Sequence, residues 1–158
     1  MSYQAVILTV SDSCAAGTRT DTSGPAIRAM LENAGFAVQA MQTVPDKEGQ
    51  ISAAIVHACD ILQADLVVTT GGTGLSPCDV TPEATLAVLD REIRAIPVAM
   101  WVEGLKSTPR AMLSRAVAGI RGHTLVLNVP GSEKAARENL GAVVATLDHA
   151  LRMLAGGG

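Results

Sequence analysis

Within residues 65–84 of this chain, a strand pattern, a glycine-rich turn and a helix start follow one another directly. Residues 66–70 form a short run of apolar and β-branched side chains, which predicts a buried strand. The Thr-Gly-Gly-Thr-Gly run at 70–74 predicts a turn, because glycine takes positive φ angles and lets the backbone approach a ligand closely. Thr-Pro-Glu at 81–83 has the order of an N-cap, an N1 proline and an acidic first turn. A β-loop-α unit is therefore predicted, and such units build parallel sheets covered by helices.

The same alternation of strand and helix patterns runs through the whole 158-residue chain. It predicts an α/β fold with a mainly parallel sheet that is covered on both faces. A single domain is expected at 1–155, and the glycines at 156–158 are expected to form a flexible tail. The predicted strands lie at 4–10, 36–44, 66–70, 115–120 and 124–129, and the predicted helices at 24–34, 51–62, 82–91, 95–105 and 133–154.

Composition excludes several classes of function. The chain has a formal net charge of −3 and no basic tract, so nucleic acid is not an expected partner. No apolar run reaches the roughly 20 residues that cross a bilayer, and the first strand begins too early for a signal peptide. The cysteines, Cys14, Cys59 and Cys78, are odd in number and widely spaced. They indicate a reducing, cytoplasmic location and no zinc site.

Polar segments follow the predicted strands where each strand ends. Residues 11–13 follow the first strand, Asp46 the second, the 71–79 loop the third and residues 128–132 the last. The carboxyl ends of parallel strands meet at one edge of a sheet, and ligands bind in the crevice beside them. The helix start and free amide groups favour an anion there. Asp79 beside a phosphate would suit Mg²⁺.

A purely structural interpretation of this loop stays open. The loop has neither a G-x-G-x-x-G pattern nor the Lys-Ser/Thr of a Walker A motif. Glycines after a strand often only make a turn, and Ser132 alone is a competent N-cap. The anion site therefore depends on the convergence of several polar segments at one edge of the sheet.

Six separated motifs occur in order along nearly the whole chain. They are Thr-Val-Ser-Asp-Ser at 9–13, Asp-Thr-Ser-Gly at 21–24, Val-Pro-Asp at 44–46, Thr-Gly-Gly-Thr-Gly at 70–74 with Asp-Val-Thr-Pro-Glu-Ala at 79–84, Leu-Ser-Arg at 113–115 and Asn-Val-Pro-Gly-Ser at 128–132. This set resembles the molybdenum cofactor biosynthesis family that contains the molybdopterin adenylyltransferases, with MogA and MoaB among its members. The resemblance implies a three-layer αβα sandwich that assembles as a homotrimer. It also implies an enzyme that joins ATP and molybdopterin, with Mg²⁺, to give adenylyl-molybdopterin and pyrophosphate.

The resemblance implies roles for individual residues as well. Asp46 and Asp79 correspond to the two functional aspartates of the family, and they are the expected catalytic residues and Mg²⁺ ligands. The residues expected to bind the nucleotide or the pterin are Ser11, Asp12, Gly71, Gly72, Thr73, Gly74, Thr81, Glu83, Ser114, Asn128, Pro130, Gly131 and Ser132.

Two departures from the family pattern leave alternatives open. The family usually has arginine immediately before the motif aspartate, but here that residue is Cys78, which cannot supply a bidentate cation. The chain is therefore either an active adenylyltransferase or an impaired homologue that only binds molybdopterin or a nucleotide. Ala95, Val98 and Trp101 form an apolar stripe at helical spacing. If exposed, this stripe would suit a protein contact, so a third alternative is a trimeric building block with a surface engineered for a larger assembly.

Overall fold

A six-stranded sheet forms the centre of the computed structural model, which describes residues 2–157. Its strands are β1 (Gln4–Val10), β2 (Ala37–Val44), β3 (Leu66–Thr70), β4 (Arg91–Glu92), β5 (Ala118–Arg121) and β6 (Thr124–Val129). They lie in the order β2-β1-β3-β6-β5-β4. The first four strands in this order are parallel, whereas β5 is antiparallel to β6 and β4 is antiparallel to β5. The prediction of a mainly parallel sheet is confirmed.

The central strands are buried on both faces of the sheet. Every residue of β3 and β6 is buried, which explains why their sequences are almost continuously apolar or β-branched. Successive side chains of a strand point to opposite faces. In β1, Ile7 accordingly packs in one apolar cluster and Leu8 in the other.

Helices form the two outer layers. They are α1 (Asp12–Ala15), α2 (Ser23–Asn33), α3 (Glu48–Val56), α4 (Thr81–Leu86), α5 (Ala95–Leu105) and α6 (Glu133–Leu154). Ile27 of α2, Met100 of α5 and Leu140 of α6 pack on one face of the sheet. Ile51 of α3 and Ala84 of α4 pack on the other. The expected three-layer αβα arrangement is confirmed.

Elements with long sequence patterns lie where they are predicted. The bounds of α5, α6, β1, β3 and β6 agree with the prediction, those of α2 are shifted by one residue at both ends, and β2 begins one residue later than predicted. The helix predicted at 51–62 begins earlier and continues after α3 as a π-helical turn, His57–Ile61. The ion pair between Arg121 and Asp60, at 2.7 Å, ties that turn to the end of β5.

Two predicted elements require correction. The helix predicted at 82–91 ends at Leu86, because the chain then turns and residues 91–92 pair with β5 as the edge strand β4. The strand predicted at 115–120 begins only at Ala118. Upstream of it, the Arg115 amide donates to the Thr73 carbonyl at 2.8 Å, so this part of the chain lies beside the glycine-rich loop instead of extending β5.

Two short helices lie in regions where the sequence indicates only loops. α1 begins directly after β1, and the Ser11 side chain caps it by accepting a hydrogen bond from the Cys14 amide at 3.2 Å. A 3-10 helix at Pro109–Leu113 follows α5 and is capped in the same way by Thr108. Both are too short to carry a helical period in the sequence.

The end of α6 differs from the expected flexible tail. The amides of Gly156 and Gly157 donate to carbonyl groups in the last turn of α6, at 3.0 and 2.9 Å. Gly156 has a φ of +90°, the left-handed conformation that commonly closes a helix. These two glycines therefore belong to the helix cap, and Gly158 lies outside the described residues.

Two further findings concern the expected surroundings of the protein. Across residues 2–157, no helix is both long enough and apolar enough to span a membrane. The three cysteines, Cys14, Cys59 and Cys78, are unpaired. Burial raises the pKa of the Cys59 thiol to about 11, so this cysteine is a neutral core side chain.

Candidate functional site

The carboxyl ends of the four parallel strands lie side by side at one edge of the sheet. The register pairs Val10 with Val44, Thr9 with Thr70, and Thr70 with Val129. The loops that leave these strands therefore begin next to one another. The predicted convergence of polar segments at this edge is confirmed.

Two positions of the glycine-rich loop require the absence of a side chain. Gly71 has a φ of +103° and approaches β1 so closely that a Cβ would overlap with the Val10 carbonyl. Gly72 has a φ of +69°, and a Cβ there would overlap with the Thr81 hydroxyl. That hydroxyl donates to the Gly71 carbonyl at 2.9 Å, and the Thr81 amide donates to the Gly72 carbonyl at 3.1 Å. The loop is thus fixed between β1 and the start of α4.

Asn128 supports the site from inside the fold. Its side chain is fully buried, its Oδ1 accepts a hydrogen bond from the Val117 amide at 3.1 Å, and its Nδ2 donates to the Thr69 and Thr85 hydroxyls at 2.8 and 3.1 Å. The expectation that Asn128 contacts a ligand is corrected, because its polar atoms are used within the core. The same correction applies to Thr81, which is fully buried and uses its hydroxyl within the loop.

Two carboxylates from different strand ends form a reciprocal pair. The Asp12 amide donates to Asp46 Oδ2 at 2.9 Å, and the Asp46 amide donates to Asp12 Oδ1 at 2.8 Å. Burial is the main cause that raises the pKa of Asp46 above its ordinary value. The hydrogen bond from the Asp12 amide opposes this effect, and the negative charges of Asp12 and Asp79 add to it. Asp46 therefore lies close enough to both Asp12 and Asp79 for their negative charges to act on it.

Asp79 is oriented by its own turn. Its Oδ2 accepts a hydrogen bond from the Ser76 amide at 3.0 Å, and a Cβ on Gly74 would lie 2.8 Å from the same oxygen. The carboxylate therefore stands directly beside the backbone of the glycine-rich loop. Cys78 is exposed in this turn, and its amide donates to Ser76 Oγ at 3.3 Å.

Two cavities meet at Asp79. The larger has a volume of about 780 Å³ and lies between Ser114 and the first turns of α6. The smaller has a volume of about 380 Å³ and is lined by Ser11 and Asp46. Both cavities are lined by Gly72, Asp79, Gly131 and Ser132. Of these four residues Asp79 alone is charged, so a carboxylate stands where groups bound in the two cavities would meet.

Most of the expected binding residues lie at these cavities. The exceptions are Asp12, Thr81, Glu83 and Asn128, which line neither of the two. Asp12 is paired with Asp46 through two hydrogen bonds, and Thr81 and Asn128 are buried beneath the loop. Glu83 forms an ion pair with Arg115 at 2.7 Å, and the hydrogen bond from Arg115 lowers the pKa of Glu83.

The donor set fits Mg²⁺ held jointly by protein and substrate. Within the described part of the chain, no group of three or more His, Cys, Asp or Glu side chains is arranged to hold a metal ion. Mg²⁺, however, is usually bound through one or two carboxylates together with substrate phosphates and water. Asp46 and Asp79 both line the smaller cavity, and a cation between them would relieve their mutual repulsion.

Three arginines near the site are not singled out by sequence reasoning. Arg19 lines the smaller cavity and Arg110 the larger one. Among the described residues neither guanidinium has an ion pair, so both positive charges are available to an anion. Arg115 is held instead by protein groups around Asp79. Only Arg115 has a sequence signal, because it belongs to the Leu-Ser-Arg motif at 113–115.

Comparison with known proteins gives one consistent result. The family model described as "Probable molybdopterin binding domain" matches residues 6–149. The crystal structure of the molybdopterin biosynthesis enzyme MoaB from Thermus thermophilus is 48% identical in sequence, with a TM-score of 0.93 over 98% of this chain and 97% of that chain. A molybdopterin biosynthesis protein from Mycobacterium abscessus is 39% identical, with a TM-score of 0.92 over 98% of this chain and 97% of that chain.

The curated relatives include proteins of similar length and much longer ones. The molybdopterin adenylyltransferase of Helicobacter pylori J99 is 36% identical over 95% of this chain and 86% of the relative. Gephyrin of Dictyostelium discoideum is 40% identical over 94% of this chain. The chain spans 22% of the length of that gephyrin and 25% of the length of the Drosophila protein cinnamon.

Proposed function

Because the chain belongs to the family of probable molybdopterin binding domains, we propose that it acts in molybdenum cofactor biosynthesis as a molybdopterin adenylyltransferase. The observation that carries this proposal is the position of Asp79 at the junction of two cavities. A reaction between two large anionic substrates needs two binding volumes that meet at one point, and this junction provides them. Relatives that carry the name molybdopterin adenylyltransferase, from Helicobacter pylori and Escherichia coli, support the assignment.

In the proposed reaction, a phosphate oxygen of molybdopterin attacks the α-phosphorus of ATP. A new phosphorus–oxygen bond forms, the bond to the β-phosphate breaks, and its electron pair leaves with pyrophosphate. The reaction needs no redox step and no covalent bond to the protein. The task of the protein is therefore to hold two anions together and to stabilise negative charge.

The residues of this chain suit that task. The loop at 72–74 and the first residues of α6 line the larger cavity, and a helix N-terminus favours an anion. Arg110 and Arg19 add a positive charge to each cavity. Asp46 and Asp79 would hold Mg²⁺, which when bound neutralises phosphate charge.

Pyrophosphate release tests the proposal directly. Purified protein is incubated with molybdopterin, ATP and Mg²⁺, and both pyrophosphate and adenylylated pterin are measured. We expect equal amounts of both products. If folded protein releases no pyrophosphate, the adenylyltransferase assignment fails and the binding-only homologue is favoured.

Cys78 supplies the observation that favours the binding-only alternative. Its exposed position next to Asp79 would place an arginine side chain at the rim of the site. We expect Cys78→Arg to raise kcat/KM by about tenfold, the effect of one charge-assisted hydrogen bond to a phosphate. Cys78→Ser, which keeps the size and adds no charge, serves as control. Equal activities of Cys78→Arg and wild type would mean that the cysteine does not impair the enzyme.

We further propose that the protein is a homotrimer that uses an apolar face of α5. Val98, Val102 and Leu105 are 49%, 56% and 45% exposed and follow one another at helical spacing. Ala95 is exposed on the same helix, whereas Trp101 is only partly exposed and its indole Nε1 is buried. The expected contact stripe is therefore corrected at Trp101, which turns its polar atom inwards. An apolar face of this kind on a single chain indicates a protein contact.

Sedimentation equilibrium tests this assembly. We expect wild type to have the mass of three chains. Val102→Glu should have the mass of one chain, because a carboxylate buried in an apolar contact is strongly unfavourable. Ile61→Glu is the matched control, since Ile61 is exposed in the π-helical turn. A wild-type mass of one chain would contradict the trimer, and a mass above three chains would favour the building-block alternative.

We also infer that the reaction takes place in the cytoplasm. The three unpaired cysteines support this inference, because oxidising compartments favour paired cysteines. Mass spectrometry of the thiols in protein isolated without reductant tests it, with all three cysteines expected as free thiols.

A further inference from the structure

Arg115 connects three parts of the site. Its Nε donates to the Gly74 carbonyl at 2.8 Å, and its Nη2 donates to the Asp79 carbonyl at 2.7 Å. Its Nη1 and Nη2 also donate to the Glu83 carboxylate, at 2.7 and 3.3 Å. The Arg115 amide donates to the Thr73 carbonyl at 2.8 Å. A single residue therefore joins the glycine-rich loop, the turn with Asp79 and helix α4.

These bonds hold both ends of the turn that carries Asp79. Gly74 precedes this turn and Asp79 ends it, and Arg115 binds the carbonyl of each. Within the turn, the Asp79 carboxylate accepts a hydrogen bond from the Ser76 amide. With the two ends and this internal bond in place, the turn has little freedom to rotate, and the Asp79 carboxylate stays at the junction of the two cavities.

Arg115 does not bind substrate in this arrangement. It lines neither cavity, and its guanidinium already donates to two carbonyls and one carboxylate. Glu83 is the principal cause that raises the pKa of Arg115, and the charge of Asp79 adds to this effect. The guanidinium is therefore a fixed positive charge behind the Asp79 turn, and Glu83 is its anchor on α4.

We propose that Arg115 is a positioning residue for adenylyl transfer, which holds the Gly74–Asp79 turn so that the Asp79 carboxylate faces both bound substrates. This role rests on the proposed function. It also explains Glu83, whose carboxylate orients the guanidinium of Arg115 and takes no part in ligand binding. The chain thus keeps a cation beside Asp79 through tertiary contact, although the residue before Asp79 is a cysteine.

The contribution of Arg115 to overall stability is small. The side chains of Arg115 and Glu83 are 37% and 43% exposed, and ion pairs of this exposure contribute little to the free energy of unfolding. Misplacement of a reacting group by about 1 Å, in contrast, costs about 100-fold in rate. Activity and stability are therefore expected to respond differently to loss of the guanidinium.

Arg121 provides a matched control for the experiment. Its guanidinium also binds one carboxylate and one carbonyl, namely Asp60 at 2.7 and 3.1 Å and Val88 at 2.9 Å. It lines neither cavity. Arg121→Met therefore removes the same kinds of contact at a place remote from Asp79.

We expect Arg115→Met to lower kcat by about 100-fold and to change the KM values for ATP and molybdopterin by less than about threefold. Arg115→Lys keeps the positive charge but loses the several planar N–H donors of the guanidinium, so its kcat should lie between those of Arg115→Met and wild type. Arg121→Met should leave kcat unchanged. Amide hydrogen exchange should become faster in residues 73–80 of Arg115→Met and stay unchanged elsewhere. If Arg115→Met does not fold, all measurements are made on Arg115→Lys instead.

The outcomes separate this inference from the proposed function. If wild type turns over and Arg115→Met retains its kcat, or if Arg121→Met loses as much, Arg115 is only structural and the inference is overturned. If wild type does not turn over, the proposed function fails, and amide hydrogen exchange in residues 73–80 then decides the inference. Faster exchange confined to these residues in Arg115→Met supports the holding of the turn by Arg115. Exchange there that is no faster than in wild type and Arg121→Met overturns the inference.

Discussion

Asp79→Asn is expected to lower the turnover of adenylyl transfer by about 10³-fold, a loss typical for removal of a preorganised electrostatic group at a reacting centre. Asparagine has the shape of aspartate, and its Oδ1 still accepts the Ser76 amide, so the turn should persist. What is lost is the one negative charge shared by the two cavities. The change should therefore affect kcat while the free energy of unfolding stays close to that of wild type.

Asp90→Asn is the matched control for this experiment. Asp90 also accepts a backbone amide in a turn, that of Gly122 at 2.7 Å, but it lines neither cavity. Pyrophosphate release and urea unfolding are measured for both variants. Near-wild-type turnover in Asp79→Asn would show that the carboxylate has no role in the proposed reaction. An equal loss of turnover in both variants would indicate a general defect of folding or stability.

Gly72→Ala is expected to destabilise the protein by about 3 kcal/mol. Alanine in the left-handed region costs about 1–2 kcal/mol. The added Cβ also displaces the Thr81 hydroxyl from its buried bond to Gly71, which costs about 1–3 kcal/mol more. Because the loop lines both cavities, turnover should fall together with stability. Urea unfolding monitored by circular dichroism measures the change.

Gly122→Ala isolates the contribution of the contact from that of the backbone. Gly122 has a φ of +60°, close to that of Gly72, but within residues 2–157 no atom apart from those of its immediate chain neighbours lies within 4 Å of the position of its Cβ. Its replacement should cost only the backbone strain, about 1 kcal/mol. If both substitutions destabilise the protein equally, the close contact with Thr81 has no energetic consequence.

The extent to which the sequence predicts this fold depends on element length. The 22-residue helix α6 repeats its apolar period several times, and β3 is an unbroken buried run. In such elements the residues that form the apolar pattern are the ones that become buried, so the pattern alone indicates where the element begins and ends. Strand β4 has two exposed residues and exists because it pairs with β5. A pairing of that kind depends on where the partner lies, and the local sequence therefore predicts a helix there instead.

The candidate site shows the same division. The glycines at 71 and 72 and the carboxylates Asp46 and Asp79 are predicted to lie together, because the carboxyl ends of parallel strands meet wherever their loops are polar. Asn128, near the end of β6, falls under the same rule, yet its side chain lies in the core. A polar residue at a strand end can point to solvent or to buried hydrogen-bond partners, and only the packing of neighbouring strands decides which.

The sequence by itself determines the α/β class, the order of the long elements and the loop that must lack side chains, because each depends on local periodicity or on backbone conformation. The tertiary structure alone decides that Asp79 lies between two cavities and that Arg115, 36 residues away along the chain, holds its turn. The reason is physical: a hydrogen bond between distant residues depends on the relative position of elements, which is set by packing of the whole core.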